Sequence, residues 1–293
     1  MKVGLYNLEP KYLNIALEKI RMFHQENGDT VIDYLPLYHD NFDRIYCSSI
    51  FDYSDRSYVS DDMLIGGSGF STIIKLSPEI ERMKPKINAG FTTRGCCRKC
   101  EFCIVPQMEG STVEIGDIYD FWDGVSRRIT IMDNNILGAR EHFFKIVKQI
   151  KDENLLVNFS QGFDIKLIDK EVMEHICSIK FFQKLHFAFD NIKDKDIIIK
   201  RIKLLLRYKK PSRLMFFLLC GYDSNPEDDI ERVRILKTFG IDPFIMRYHQ
   251  ESKILNEYSR YINRFFFRKI SFEEFLKIRN MKYLLEDKNN GYR

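Results

Sequence analysis

The feature that most restricts the fold is a repeated alternation of apolar, strand-like segments and amphipathic, helix-like segments after residue 88. The strand-like segments are Ala89–Thr93, Arg128–Met132, Leu155–Ser160, Lys184–Ala188, Arg213–Leu219 and Pro243–Arg247. The intervening helices are expected at Ile115–Trp122, Arg140–Glu153, Lys170–Ile179, Lys195–Arg207 and Pro226–Phe239. Repeated strand–helix units produce parallel sheets, so we predict an α/β protein.

This pattern predicts four regions along the 293 residues. Residues 1–75 are expected to form a small Rossmann-like domain, because strand-like segments surround a helical pattern there. Residues 76–88 hold two prolines and many charges and are predicted as a linker. Residues 89–250 are predicted as a partial (β/α)6, TIM-like barrel, and residues 251–293 as a C-terminal helical extension. The remaining expected elements are strands at Lys2–Tyr6, Thr30–Leu35, Arg44–Ser48 and Met63–Gly66, and helices at Lys11–Gln25, Ile254–Phe267 and Phe272–Leu285.

Four of the seven cysteines lie directly after the first predicted barrel strand. Cys96, Cys100 and Cys103 have the spacing Cys-x3-Cys-x2-Cys. An odd number of cysteines, clustered in this way, is not typical of a disulfide framework. Thiolates are soft ligands that suit iron–sulfur clusters. Three thiolates on a four-iron cluster would leave one iron open to a substrate or a cofactor.

Two other interpretations of the cysteines are open. A structural zinc site needs four ligands, and Cys97 could be the fourth only if its side chain points the same way as that of Cys96. A redox pair formed by Cys100 and Cys103 would leave Cys96 unexplained.

The segment Phe91-Thr-Thr-Arg-Gly-Cys96-Cys-Arg-Lys-Cys100-Glu-Phe-Cys103-Ile-Val-Pro106 resembles the radical S-adenosylmethionine (SAM) superfamily. The cysteine spacing, the aromatic residue before the third cysteine and the position after the first strand all match. The whole segment resembles the branch that includes methylthiotransferases and cobalamin-binding radical enzymes. The resemblance covers about residues 89–250, with a weaker, degenerate counterpart in residues 1–75.

The resemblance implies that Cys96, Cys100 and Cys103 bind a [4Fe–4S] cluster whose open iron holds SAM. One electron, from a flavodoxin- or ferredoxin-type donor, would then cleave SAM to a 5′-deoxyadenosyl radical that acts on an unidentified substrate. It also implies further cofactor-binding residues near the adenine or at the C-terminal ends of the barrel strands, namely Phe102, Asp133, Asn134, Gln161, Asp164, Asp190, Cys220 and Tyr222.

Several of these assignments have simpler alternatives. The Gly-Gly-Glu motif that relatives carry after the second strand is absent, and Asp133 and Asn135 could instead cap the following helix. Cys220 also fits a buried strand residue. No residue is assigned a catalytic role.

The N-terminal region gives no support for cobalamin, because it lacks the Asp-x-His-x-x-Gly motif. The glycines Gly66, Gly67 and Gly69 could admit a phosphate close to the backbone. Only Cys47 precedes residue 90, whereas methylthiotransferases bind a second cluster in that region. A methylthiotransferase-like, RNA-modifying enzyme is therefore an alternative rather than the favoured interpretation.

Charge and hydropathy restrict the partners. The net charge of +4 permits a nucleic-acid partner without demanding one. Basic residues mix with aromatic ones in residues 193–213 and 258–269, a pattern found in RNA-binding surfaces and also in ordinary solvated helix faces. An RNA or nucleotide substrate is compatible with this, and so is a different class of protein, a nucleic-acid-binding protein with a structural zinc. No signal peptide or membrane span is evident, so a cytoplasmic protein is expected.

Overall fold

The computed structural model describes residues 1–70 and 75–286, and the chain divides into two compact units. Unit 1 comprises Met1–Gly90 and Tyr119–Val125, and unit 2 comprises Phe91–Ile118 and Ser126–Arg293. Both are α/β with parallel sheets. Residues 71–74 of the predicted domain 1–75, and residues 287–293 of the predicted C-terminal extension, lie outside the described residues.

Unit 1 is built on a four-stranded parallel sheet in the order β2-β1-β3-β4. Its strands are β1 (Lys2–Asn7), β2 (Thr30–Asp33), β3 (Arg44–Ser48) and β4 (Leu64–Gly66). Helix α1 (Ile15–Glu26) connects β1 to β2, and the Asn14 side chain caps its first turn by accepting from the Leu17 N–H at 3.2 Å. Strand β5 (Ala89–Gly90) also belongs to this unit.

The predicted linker, residues 76–88, differs from the structure, which has helix α2 (Pro78–Glu81) there. Ile80 is buried in the core of unit 1 with Val3, Leu5, Leu17 and Ile20. Pro78 lies in the first turn of the helix, where a missing N–H costs no hydrogen bond, so a residue that suggested a linker in fact begins a helix.

Unit 2 begins with a short antiparallel pair, β6 (Thr93–Arg94) with β7 (Val113–Glu114), and helix α3 (Val105–Met108) lies between them. The predicted helix Ile115–Trp122 is wrong, because this stretch contains only one 3-10 turn at Ile118–Asp120. The N–H groups of Ile115 and Gly116 both donate to the Thr92 carbonyl, at 2.9 and 3.3 Å, which ties the start of this stretch to the segment before the cysteines.

Two parallel sheets follow, in the orders β10-β9-β8 and β11-β12-β13. Their strands, and the helices α4 to α7, agree with the predicted elements within two residues at each end, apart from the unpredicted β10. The strands are β8 (Arg128–Ile131), β9 (Leu156–Phe159), β10 (Lys180–Phe181), β11 (Leu185–Ala188), β12 (Leu214–Cys220) and β13 (Asp242–Arg247); the helices are α4 (Arg140–Asp152), α5 (Lys170–Ser178), α6 (Lys195–Leu205) and α7 (Pro226–Thr238).

The C-terminal helices are α8 (Lys253–Asn263), α9 (Phe272–Ile278) and α10 (Tyr283–Glu286). Helix α8 packs on β13, where the Asn263 side chain accepts from the Ile245 N–H at 2.7 Å and donates to its carbonyl at 3.0 Å. Over residues 1–70 and 75–286, no helix has both the length and the apolar character needed to cross a membrane.

Candidate functional site

The cysteine-rich segment is a loop attached to the β6–β7 pair. Gly95 has φ +78°, and a Cβ added there would lie 2.2 Å from the Ser111 carbonyl oxygen, so this position requires glycine. The Cys96 N–H donates to the Gly110 carbonyl at 3.0 Å. The Glu109 carboxylate accepts from the Arg94 guanidinium at 2.7 Å and from the Gly95 N–H at 2.8 Å. The two ends of the loop are therefore tied together.

The three cysteines of the predicted cluster site lie in this loop. Cys96 and Cys103 are half-buried and Cys100 is exposed, and the Cys103 N–H donates to the Cys100 carbonyl at 3.0 Å. Desolvation by surrounding protein atoms raises the pKa of Cys100, and the neighbouring thiols of Cys103 and Cys96 raise it further. The thiols are thus electrostatic neighbours. Among the described residues, however, no three His, Cys, Asp or Glu side chains form a metal-ligand group.

Asn135 is the residue outside the loop that contacts its sulfur atoms. Its Nδ2 lies 3.6 Å from Cys96 Sγ and 3.5 Å from Cys97 Sγ, so both neighbouring sulfurs face one amide group. Its Oδ1 is buried without a hydrogen-bond partner in the described chain. The helix-capping interpretation is wrong for this residue, because α4 begins at Arg140 and Asn135 makes no side-chain cap.

Asp133 and Asn134 hold the loop from the end of β8. The buried Asp133 carboxylate accepts from the N–H groups of Thr92 and Thr93, at 2.6 and 3.0 Å, and from the Thr92 hydroxyl at 2.6 Å. Burial raises the pKa of this carboxyl, and the three hydrogen bonds oppose that effect. Asn134 donates to Glu109 at 2.8 Å. Capping is again wrong for Asp133, whose carboxylate fixes the strand before the loop.

Asp164 connects the loop to the segment after β9. Its Oδ2 accepts from Arg98 Nε at 2.6 Å and lies 3.4 Å from Asn135 Nδ2, while its Oδ1 accepts from the Lys166 N–H at 3.0 Å. Gln161, from the same turn, is exposed, and its proposed role in cofactor binding stays a prediction.

Asp190 and Cys220 lie at the ends of β11 and β12. Asp190 accepts from the Leu219 N–H at 3.1 Å, and burial raises the pKa of its carboxyl. Cys220 is fully buried, and burial raises the pKa of its thiol well above the usual value. Its Sγ lies 3.7 Å from the guanidinium of Arg232, a fully buried residue that the sequence analysis missed.

Tyr222 and Phe102 form an aromatic cluster beside the loop. Their ring centroids are 5.4 Å apart in an edge-to-face arrangement, and Tyr222 packs in the same way on Tyr248 at 4.9 Å. The Tyr222 hydroxyl donates to the carboxylate of Glu101 in the loop at 3.1 Å. The end of β12 is thereby joined to the residue between the second and third cysteines.

The glycines after β4 in unit 1 have a structural explanation. A Cβ at Gly67 would lie 2.2 Å from the Ser49 carbonyl oxygen, and one at Gly69 would lie 2.4 Å from that of Phe51. The adjoining loop is held by Glu9, which accepts from the Ile50 N–H at 2.9 Å and from the Ser54 hydroxyl. Close backbone packing accounts for these glycines without a bound phosphate.

The chain matches no protein-family model and no curated protein. The site is described by its own geometry: one cysteine loop contacts residues that follow the carboxyl ends of β8, β9 and β12. Asp190, after β11, is an electrostatic neighbour of Cys100.

Proposed function

We propose that this protein is a radical SAM enzyme, in which Cys96, Cys100 and Cys103 bind a [4Fe–4S] cluster. The observation that carries the proposal is a single anchored loop with three neighbouring thiols, set at the carboxyl ends of parallel strands. Enzymes with repeated strand–helix units use that end of the sheet for chemistry. The donor set fits an iron–sulfur cluster in ligand softness and in ligand number.

The proposal includes a single partial barrel for unit 2. The two parallel sheets are joined by a parallel bridge between Phe163 and Phe187, which supports the strand sequence β8-β9-β11-β12-β13. In such a barrel, the residues after these strands converge on one mouth.

Residues of the chain would then have separate roles around the cluster. When bound, the cluster and SAM would supply a 5′-deoxyadenosyl radical for hydrogen-atom removal from the substrate. Asn135 would donate its N–H to a ligand sulfur and offer its unpartnered Oδ1 to a donor on the bound cofactor. Phe102 and Tyr222 would provide the apolar wall for the adenine, while Asp133 and Glu109 hold the loop in position.

The test is anaerobic reconstitution with iron and sulfide, followed by incubation with SAM and a reductant. We expect about four irons per chain and formation of 5′-deoxyadenosine. Cys103→Ser should lose both, whereas Cys177→Ser is a matched control, because Cys177 lies in α5 rather than in the loop. Full iron content in Cys103→Ser, or no 5′-deoxyadenosine from the reduced protein, would contradict the proposal.

One observation favours a second candidate, a structural zinc site in a nucleic-acid-binding protein. The sulfurs of Cys96 and Cys97 face the same Asn135 amide, so Cys97 points in the direction that a fourth ligand needs. Cys97→Ser separates the two candidates. A four-thiolate zinc site would lose its metal, while a three-thiolate cluster would keep its iron, and metal analysis of the purified variant decides between them.

A further inference from the structure

A cleft beside α8 is lined by basic side chains. It has a volume of about 500 Å³, and its cations are Arg247, Lys253, Arg260 and Arg264. Lys253 and Arg260 in α8, and Arg264 directly after it, are spaced by seven and four residues, which places them on one side of the helix. Arg247 is the last residue of β13. The cleft therefore continues from the helix to the carboxyl end of the sheet.

The positive charge of this cleft is only partly compensated. The only acidic residue of α8 is the buried Glu257, whose carboxylate is shared between Arg260 at 2.8 Å and Arg279 at 2.6 Å. Arg247 is hydrogen-bonded to the neutral Asn256. Within the described chain, Lys253 and Arg264 make no side-chain hydrogen bond or ion pair. The guanidinium groups of Arg247 and Arg260 are thus oriented by neighbouring residues, whereas the side chains of Lys253 and Arg264 stay available for a ligand. This combination suits the binding of successive phosphates.

The opposite side of β13 carries exposed apolar side chains. Phe244, Met246 and Tyr248 alternate with Ile245 and Arg247, so they lie on the other face of this edge strand. They are 37%, 38% and 45% exposed. The Tyr248 ring packs on Tyr222, which packs on Phe102 of the cysteine loop. Aromatic rings thus extend from the rim of the basic cleft to the candidate site.

We propose that the α8 cleft binds the sugar–phosphate chain of a single-stranded nucleic acid, and that a base can cross β13 to the aromatic face. Cations that track the backbone, with aromatic side chains for stacking, are the chemistry that recognises single strands. This inference names the substrate class of the proposed enzyme and rests on that function. It is measured as binding, so its failure would leave the iron and 5′-deoxyadenosine tests untouched.

The experiment is fluorescence anisotropy with labelled 20-nucleotide RNA and DNA single strands and the full chain, kept anaerobic and reconstituted. The key variant is Lys253→Ala/Arg264→Ala. If each cation contacts one phosphate, the slope of log K against log salt falls by about 1.4, and affinity at 0.1 M salt falls about 25-fold, since each contact contributes about 0.7 to the slope.

The matched control is Lys200→Ala/Lys203→Ala, which removes the same charge from the exposed side of α6. That helix lines a separate basic cleft of about 440 Å³, so the control also tests the main competing surface. We expect the control to bind like the wild type. Binding of RNA, DNA or both with this pattern supports the proposal.

Three results would overturn it: no binding of either strand by the wild type at 50 mM salt (about the lower end of the usual range), an equal loss in both variants, or undiminished binding in the α8 variant. Binding of a mononucleotide as tight as that of the strand would also overturn it, because it would indicate a small-molecule site.

Discussion

Replacing Arg232 by Met should destabilise unit 2 strongly, because this guanidinium is fully buried and joins two strand ends. It donates to the Phe189 carbonyl after β11 at 2.5 Å and to the Leu219 carbonyl in β12 at 2.9 Å. It also forms an ion pair with Asp229, whose side chain is likewise fully buried. Met has a similar volume, so the change removes donors and charge while leaving little cavity.

The magnitude follows from what the substitution leaves behind. Each buried carbonyl that loses its donor costs about 1–3 kcal/mol. Removal of one partner from a buried ion pair costs about 3–5 kcal/mol, because the remaining charge is uncompensated. These costs overlap, so we expect a loss of about 3–5 kcal/mol in the free energy of unfolding.

Urea unfolding followed by far-UV circular dichroism measures this loss. Arg234→Met is the matched control, since Arg234 is on the same helix but pairs with Glu231 at the surface, with its side chain 69% exposed. Its effect should stay within about 0.5 kcal/mol. A difference between the two variants of less than about 1 kcal/mol would refute the claim that the buried pair holds the strand ends together.

Three further predictions concern the loop and unit 1. Gly95→Ala should cost at least about 1–2 kcal/mol, because φ is positive and the new Cβ would meet the Ser111 carbonyl; an unchanged urea midpoint would count against the proposed anchoring of the loop. For Glu9, burial alone would raise the pKa, but hydrogen bonds from Ser54, Ile50, Phe51 and Ser49 lower it below the ordinary 4.5. The ionised Glu9 therefore stabilises the folded state above pH 4.5, and this stabilisation is lost as the pH falls through the lower pKa of the folded state. Glu9→Gln should flatten the acid side of the pH–Tm curve, and a slope identical to that of the wild type would oppose this reasoning. If the proposed cluster forms, Asn135→Ala should keep its iron but lower its midpoint potential in a redox titration, because an N–H···S hydrogen bond is removed; an unchanged potential would exclude that contact.

The sequence was informative wherever structure depends on local periodicity. Apart from β10, the strands and helices from Arg128 to Arg247 were predicted to within two residues at each end, because buried parallel strands and amphipathic helices have distinct patterns. The stretch expected as a helix from Ile115 has one 3-10 turn, and the N–H groups of Ile115 and Gly116 bind the carbonyl of Thr92, more than twenty residues earlier. Hydrogen bonds of that kind have no local signature.

The sequence predicted that the three cysteines share one loop, but not which residues hold that loop in place. The spacing of the three cysteines follows from the sequence alone. Arg232 was missed, and the contact of Asn135 with the cysteine sulfurs was not predicted. The Phe189 carbonyl is 43 positions from Arg232, and the two sulfurs are 39 and 38 positions from Asn135. Asp133 anchors backbone N–H groups that only the folded chain brings to it, and its predicted place at a cofactor stays a prediction.

The clamp of Asn263 on Ile245 has a consequence for assembly. β13 is the edge strand of its sheet, and the exposed edge of a sheet can recruit a strand from another molecule. The side-chain carboxamide of Asn263 binds both the N–H and the carbonyl of Ile245, at the centre of that edge, much as a neighbouring strand would. The last strand is thereby closed to strand addition at its midpoint, which protects the chain from edge-to-edge aggregation while the side chains on either side stay accessible.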